Sequence, residues 1–343
     1  MIKLPEEGVW KGGIWLGSTV SLLRNLALYK FPAKMNPSEK AGSFKVISEA
    51  LHKIPALEPL QMIPAESLSL VDKELLFEHF HCARGFHEAE AGCGFVFDST
   101  TLITLNLYNH LELYAFDATD KLIPTWGSLS QLCEEFAALH LTAFSPRFGY
   151  LTSNPLYAGT TLEARLFFHI PALRHTQRLP QLLTTLKDEQ LSFESLEGPL
   201  ADLPGDILIV RNHYTLGVSE ETLLNLLRTT ALKIVAAEKG AREALKAKPS
   251  PNIKDFIGKS FGLLMHSYQL HPKETVDALS ALLLGLSLGS ISQVSEQKLL
   301  SLFQQSQRGH LARHCQLESM DPEALSHERA KFLHQELKGM SLS

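Results

Sequence analysis

Cysteine is scarce in this chain. Its 343 residues include four, and Cys82, Cys93, Cys133 and Cys315 lie scattered without a Cys-x-x-Cys pair. That spacing argues against a disulfide framework or a zinc ribbon and suits reduced thiols in a cytoplasm. Positive charge is also in deficit, with 32 Lys and Arg against 37 Asp and Glu and a formal net charge of −5. No stretch gathers basic residues into a stripe that could track phosphates, so nucleic acid is not an expected partner. Long apolar runs are missing. The most apolar stretch, Ala278 to Ile291, is too short for a bilayer and is interrupted by glycine and serine, so it reads as a buried helix. Met1 to Gly13 has no charged region followed by an apolar core, so no signal peptide is expected.

What is present is the composition of a globular protein, 45% hydrophobic and 20% charged, and long enough for one large domain or two ordinary ones. Residues 94–116 alternate apolar and polar positions in runs rich in β-branched and aromatic residues. They predict strands joined by turns at Asp98-Ser99 and near Asn109. Leu129, Leu132, Cys133, Phe136 and Leu139 then fall on one helical face. Strands are expected again at 163–170 and 206–214, with helical spacing over 173–187. Ser219-Glu220-Glu221-Thr222 resembles a capped helix start, followed by apolar periodicity to about Leu245. Lys246 to Asn252, with two prolines, is the best linker. Beyond it only helical periodicity is found, ending in a charged helix around 321–338. The expected organisation is an α+β domain over 1–246 and a helical domain over 253–343.

Four segments add a family resemblance. Phe148 to Leu173 (FGYLTSNPLYAGTTLEARLFFHIPAL) resembles the Gly-Tyr-Leu-Thr-Ser-Cys-Pro…Gly-Thr-Gly-Leu-Arg-Ala block of the ATP:guanidino phosphotransferases, the phosphagen kinases. Arg211 to Glu220 (RNHYTLGVSE) resembles their Ser-Asn-Gln…Thr-Leu-Gly-x-Ser-Glu segment. Ser18 to Pro32 (STVSLLRNLALYKFP) is similar to their Ser-Ser-Arg-x-Arg-Leu-Ala-Arg-Asn-Leu…Phe-Pro start. Asn106 to Leu113 (NLYNHLEL) stands where they have Asn-Glu-Glu-Asp-His-x-Arg. The blocks keep the family order across roughly 15–245, and the helical tail fits the bacterial protein-arginine kinases within that family. The resemblance implies a guanidino-kinase catalytic-domain fold, an antiparallel sheet flanked by helices, followed by a C-terminal helical domain for dimerisation or regulation.

The family moves the γ-phosphoryl group of ATP onto a guanidinium nitrogen. Such transfer depends on positioning and on cations that offset the triphosphate charge. The resemblance places the five phosphate-binding arginines on Thr19, Ser21, Glu112, Glu163 and Glu194. It places the catalytic glutamate on Tyr108 and the active-site cysteine on Asn154. Five positive charges are gone and three negative ones have entered. One like-charge contact near 4 Å costs on the order of 4 kcal/mol at an effective dielectric of about 20. The expectation is a degenerate member with no catalytic residues, no ATP or Mg²⁺ bound as cofactor and no metal site, acting through protein contacts. The partners implied are a zinc-binding activator protein, a Clp-type AAA+ unfoldase and a second copy in a homodimer.

Two alternatives stand beside it. One is an active ATP-dependent phosphotransferase with a rewired site, in which Arg24, Arg147, Arg165 or Arg211 replaces the lost arginines. Arg165 is the best placed, two residues from Glu163 on one strand face. The other is a non-catalytic arginine or phosphoarginine reader, using the three glutamates or Arg329. Arg329 lies where protein-arginine kinases carry a phosphoarginine-binding Arg-Asp-x-x-Arg-Ala motif, of which only Arg329 and Ala330 match. The bland readings are that the glutamates face solvent or pair with bases such as Arg165, and that Arg329 makes surface salt bridges. The run His79-Phe80-His81-Cys82…His87-Glu88…Cys93 matches no standard zinc spacing and reads as ordinary histidines.

Overall fold

The computed structural model describes residues 10–58, 61–80, 87–196, 200, 202–248, 250–317 and 320–342. The chain opens with β1 (Trp15–Arg24), α1 (Pro37–Leu51), β2 (Ile63–Pro64) and α2 (Leu70–Phe80). Strands β3 (Gly94–Phe97), β4 (Thr101–Leu105) and β5 (Leu111–Asp117) follow, then α3 (Leu122–Leu139), β6 (Phe144–Ser145) and β7 (Gly149–Tyr150). Next come β8 (Glu163–His169), α4 (Pro171–His175), α5 (Leu179–Thr185), β9 (Leu191–Ser195) and β10 (Ile207–Asn212). The remainder comprises α6 (Glu220–Ala247), α7 (Pro251–His266), α8 (Pro272–Leu288), β11 (Ile291–Ser292), α9 (Glu296–Gln305), α10 (Arg308–His314), α11 (Pro322–Glu336) and β12 (Ser341–Leu342). Eight strands form one sheet in the order β2-β3-β4-β5-β1-β8-β10-β9. The chain divides into two compact units. One holds Ser18–Arg165 and Asn212–Leu226; the other holds Leu166–Arg211, Leu227–Ser343 and the segment ending at Gly17.

In the first unit, β3, β4, β5 and β1 are antiparallel neighbours, with α2 and α3 against β5. The alternation read over 94–116 gives β3, β4 and β5, with the turns where they were expected. It does not give a wet face. All of β5 except Asp117 is buried, because both faces of the strand are covered. Thr104 sits directly opposite Glu112, so the polar positions of the pattern lie inside and must find partners there.

Three motif segments meet at a point where only glycine fits. Gly149 and Gly159 both have left-handed φ, at 72° and 103°. A Cβ on Gly149 would lie 2.7 Å from the Gly159 carbonyl oxygen, and one on Gly159 would lie 2.5 Å from the Thr215 carbonyl oxygen. The Gly-Tyr, Gly-Thr and Thr-Leu-Gly pieces of the sequence are therefore one tertiary feature, a close crossing of main chains. Gly159→Ala is expected to cost at least about 2 kcal/mol in denaturant unfolding, through overpacking together with backbone strain. An unchanged midpoint would show that the crossing can open without cost.

In the second unit, α8 is buried almost all round, with Ala278 to Gly285 all inside, as its apolar composition requires. Gly285 admits Ile257 of α7, which would stand 2.9 Å from a Cβ there. No helix among the described residues is long and apolar enough to cross a membrane. Helix α6 starts as expected, with the Ser219 hydroxyl accepting the Thr222 N–H at 3.2 Å. The break between α6 and α7 falls within the Lys246–Asn252 segment.

Three expectations need correction. The helical spacing over 173–187 is two short helices, because Gln177 is left-handed (φ 60°) and Pro180 in the first turn of α5 cannot continue a helix. The region after the linker is not purely helical, since β11 pairs with β12 antiparallel; two-residue strands leave no periodicity to read. Arg329 is not on the surface. It is 1% exposed and donates Nε–H to the Ser306 carbonyl at 2.7 Å and Nη1–H to the Leu270 carbonyl at 2.8 Å.

Candidate functional site

The register of β1 against β5 pairs Thr19 with Phe116, Ser21 with Tyr114 and Leu23 with Glu112. Directly opposed residues point to the same side of a sheet, so Thr19, Ser21 and Glu112 share one face with Tyr114. The side chains on this face satisfy one another and the nearby main chain. Thr19 donates to the Phe80 carbonyl at 3.2 Å, and Ser21 donates to the Glu163 carbonyl at 3.4 Å. Glu112, 3% exposed, accepts the Asn109 main-chain N–H at 2.9 Å and its Nδ2–H at 3.1 Å on one oxygen. Its other oxygen accepts the Tyr114 hydroxyl at 2.7 Å. Burial pushes the Glu112 carboxyl up from the ordinary range, and the bonds from Tyr114 and Asn109 pull it part of the way back.

Glu163 begins β8 and pairs with Arg165 at 2.7 Å, two residues along the same strand face. That is the pairing anticipated as the bland reading. Glu194 belongs to the other unit, where β9 carries it into a 2.6 Å ion pair with Arg211 of β10. Each of the three glutamates is thus already partnered.

Tyr108 is 43% exposed, and its carbonyl accepts the Ser153 hydroxyl. Asn154 caps a 3₁₀ turn over Pro155–Tyr157, its Oδ1 accepting the Leu156 N–H at 3.1 Å. Between them lies a network that sequence reading missed. Asn25 donates to Asn109 Oδ1 at 2.7 Å and to the Leu151 carbonyl at 3.0 Å. Asn109 Oδ1 also accepts the Ser153 N–H at 3.0 Å. The same Asn25 accepts the His110 main-chain N–H at 2.9 Å and contacts its Nδ1 at 2.8 Å. The Asn25 oxygen can only accept, so in the 2.8 Å contact Nδ1 donates; the Leu26 N–H also lies 3.4 Å from Nδ1. Burial lowers the His110 pKa to about 4. The signal available in sequence was the Asn-x-x-Asn-His spacing itself, and the error was to look in it for chemistry alone.

The arginines considered as replacements are also engaged. The Arg24 guanidinium lies 3.6 Å from the Tyr150 ring centroid and donates to Thr161 Oγ1 at 2.7 Å, a cation–π contact plus a hydrogen bond. Arg147 is exposed, with its guanidinium 5.0 Å from the Phe148 ring centroid. Of the histidine-rich run, His79 is buried and contacts the Ser99 carbonyl at 3.1 Å, and His87 pairs with Glu74. His81 and Cys82 lie outside the described residues. Among the described residues no group of three or more His, Cys, Asp or Glu is placed to hold a metal ion, and Cys93, Cys133 and Cys315 are free thiols.

Residues 40–241 match the family described as ATP:guanido phosphotransferase, C-terminal catalytic domain. Residues 250–343 match the protein-arginine kinase McsB C-terminal domain. The protein-arginine kinase of Chlamydia pneumoniae is 34% identical over 344 residues, covering 98% of this chain and 95% of that protein. That of Chlamydia muridarum is 35% identical over 298 residues, covering 86% and 83%. Two solved structures share the fold. Lombricine kinase has a TM-score of 0.58 at 18% identity, covering 72% of this chain and 71% of that one. The duplicated taurocyamine kinase of Schistosoma mansoni has a TM-score of 0.58 at 19% identity, over 69% of this chain and only 35% of its own length. On these matches and this fold, the chain belongs to the ATP:guanido phosphotransferase family and carries the C-terminal domain of protein-arginine kinases.

Proposed function

We propose that this chain is a pseudokinase of the protein-arginine kinase group that acts by binding other proteins. The observation that carries the reading is Glu112. Where the family resemblance places a phosphate-binding arginine stands a buried carboxylate, held by three donor groups of its own fold. The other positions support it. Thr19 and Ser21 bring no charge and already donate to main-chain carbonyls, and Glu163 has drawn Arg165, the best candidate replacement, into an ion pair. These residues do not suit a triphosphate, which needs several converging cations.

The partners that belong to this reading are a zinc-binding activator protein, a Clp-type unfoldase and a second copy of the chain, in a cytoplasmic setting that keeps the thiols reduced. The test is a thermal-shift titration with Mg-ATP beside an active protein-arginine kinase. The expected result is no shift here and a clear one in the control. A saturable shift, followed by phosphoarginine appearing on an arginine-rich protein, would overturn the proposal in favour of a rewired enzyme.

Restoring a single family residue is not expected to restore binding. Glu112→Arg sets a guanidinium against the Asn109 N–H groups in a buried slot shaped for an acceptor. Its predicted cost is about 3 kcal/mol in denaturant unfolding, the scale of an uncompensated buried charge, with no gain of nucleotide response. A stable variant that binds Mg-ATP would show the slot to be a latent phosphate site.

A further inference from the structure

The turn Leu203–Asp206 leads directly into β10 and is left-handed at two consecutive residues, Gly205 (φ 64°) and Asp206 (φ 54°). Glycine takes that form freely, and aspartate takes it at a modest cost that local hydrogen bonds can offset. Part of the hold on the turn comes from α8. Asp277 accepts the Gly205 N–H at 2.7 Å, the Ser280 hydroxyl donates to Asp206 Oδ2, and Lys273 reaches Asp202 at 2.7 Å. Gly205 also lies so close to α9 that a Cβ would stand 2.7 Å from the Phe303 ring.

The clasp has a built polarity. Ser280 has one proton and gives it to Asp206, so His169, with Nε2 2.8 Å from Ser280 Oγ, donates to that oxygen. His169 Nδ1 is then bare and accepts from Arg242, 3.2 Å away, which is itself paired with Glu238 at 2.7 Å. On the far side Arg174 donates to Asp206 Oδ1 at 2.8 Å and to the Leu203 carbonyl at 2.7 Å. A chain of donors, each committed in one direction, therefore runs from α6 through β8 and α8 to the turn. The side-chain partners His169 and Asp206 of Ser280 lie before residue 247, whereas Ser280 belongs to the region matching the protein-arginine kinase C-terminal domain.

We infer that α8 is a conformational clasp: it holds the 203–206 turn in its left-handed form, and its displacement lets the turn relax and alters the start of β10. The C-terminal helices thereby have a mechanical route to the strand that carries Arg211. The inference is independent of whether the chain binds nucleotide or transfers phosphate.

Hydrogen–deuterium exchange on the full chain tests it, with Ser280→Ala and, at a half-buried position, Asp277→Ala. Both variants are expected to speed exchange at least tenfold at the Asp206 amide, bonded to the Leu203 carbonyl, and at the Ile170 amide, bonded to the Asp206 carbonyl. Exchange over β3 to β5 should stay as in the parent. Unchanged exchange at the turn in either folded variant would overturn the clasp. So would a rise spread equally over β3 to β5, because the contacts would then contribute only to global stability.

Discussion

Acidification from about pH 6.5 to about pH 4 is expected to remove several kcal/mol of stability, with buried histidines as the main source. Burial lowers the pKa of His110 from 6.5 to about 4. Burial, helped by the neighbouring Arg242 charge, lowers that of His169 to about 3. Both rings are neutral in the folded chain at neutral pH, whereas their unfolded counterparts take up protons below about 6.5. The stabilisation is therefore complete above that pH. It falls away as the pH drops toward about 4 for His110 and about 3 for His169, by about 1.4 kcal/mol per pH unit for each ring. The carboxyls of Glu112, Glu238 and Asp277, each pushed up by burial, bind protons first in the folded state and offset part of the loss.

Denaturant midpoints between pH 7.5 and 4.5 should show the decline. His110→Asn retains a donor toward Asn25 without a titrating ring, and its slope near pH 5 should be shallower by about 1.4 kcal/mol per pH unit. A parent profile that is flat across this range would mean that the rings are protonated, or reach solvent, in the folded state.

Arg329→Ala is expected to cost about 3–5 kcal/mol, a large share of a typical domain's stability. Arg329 is among the largest fully buried side chains, and its guanidinium ties the carbonyl that ends α9 to the carbonyl of Leu270, just before α8. Truncation leaves buried carbonyl groups unsatisfied as well as a cavity. Arg329→Lys keeps the charge but loses the fork geometry, so it should fall between parent and alanine variant. Guanidinium denaturation measures both, and a loss under about 1 kcal/mol for alanine would show that these bonds contribute little.

Much of the fold was legible locally. The strands at 94–116 and the start of α6 carry their own periodicity and caps, and Pro180 announces the break that was overlooked. Strand β1 was not legible as a strand, because a segment buried over nine of its ten positions shows no in–out alternation. In the candidate site, resemblance assigned a residue of this chain to each expected family position. The fate of each could not. Glu163 found its arginine two residues away, within reach of sequence reasoning, whereas Asn25 meets Asn109 and His110 from 84 and 85 residues away.

The sequence by itself determined the family and the order of its motif blocks, and by resemblance it assigned threonine, serine and glutamate to the positions expected to carry arginine, since these depend only on residue type and position along the chain. The tertiary structure alone decided that Glu112 is held by Tyr114 and Asn109, that Arg329 is buried on main-chain carbonyls and that α8 clasps a left-handed turn. The physical reason is the range of the forces. Periodicity and capping act over one or two helical turns, but a buried polar group is satisfied by whatever the register and packing bring to it, from any distance along the chain.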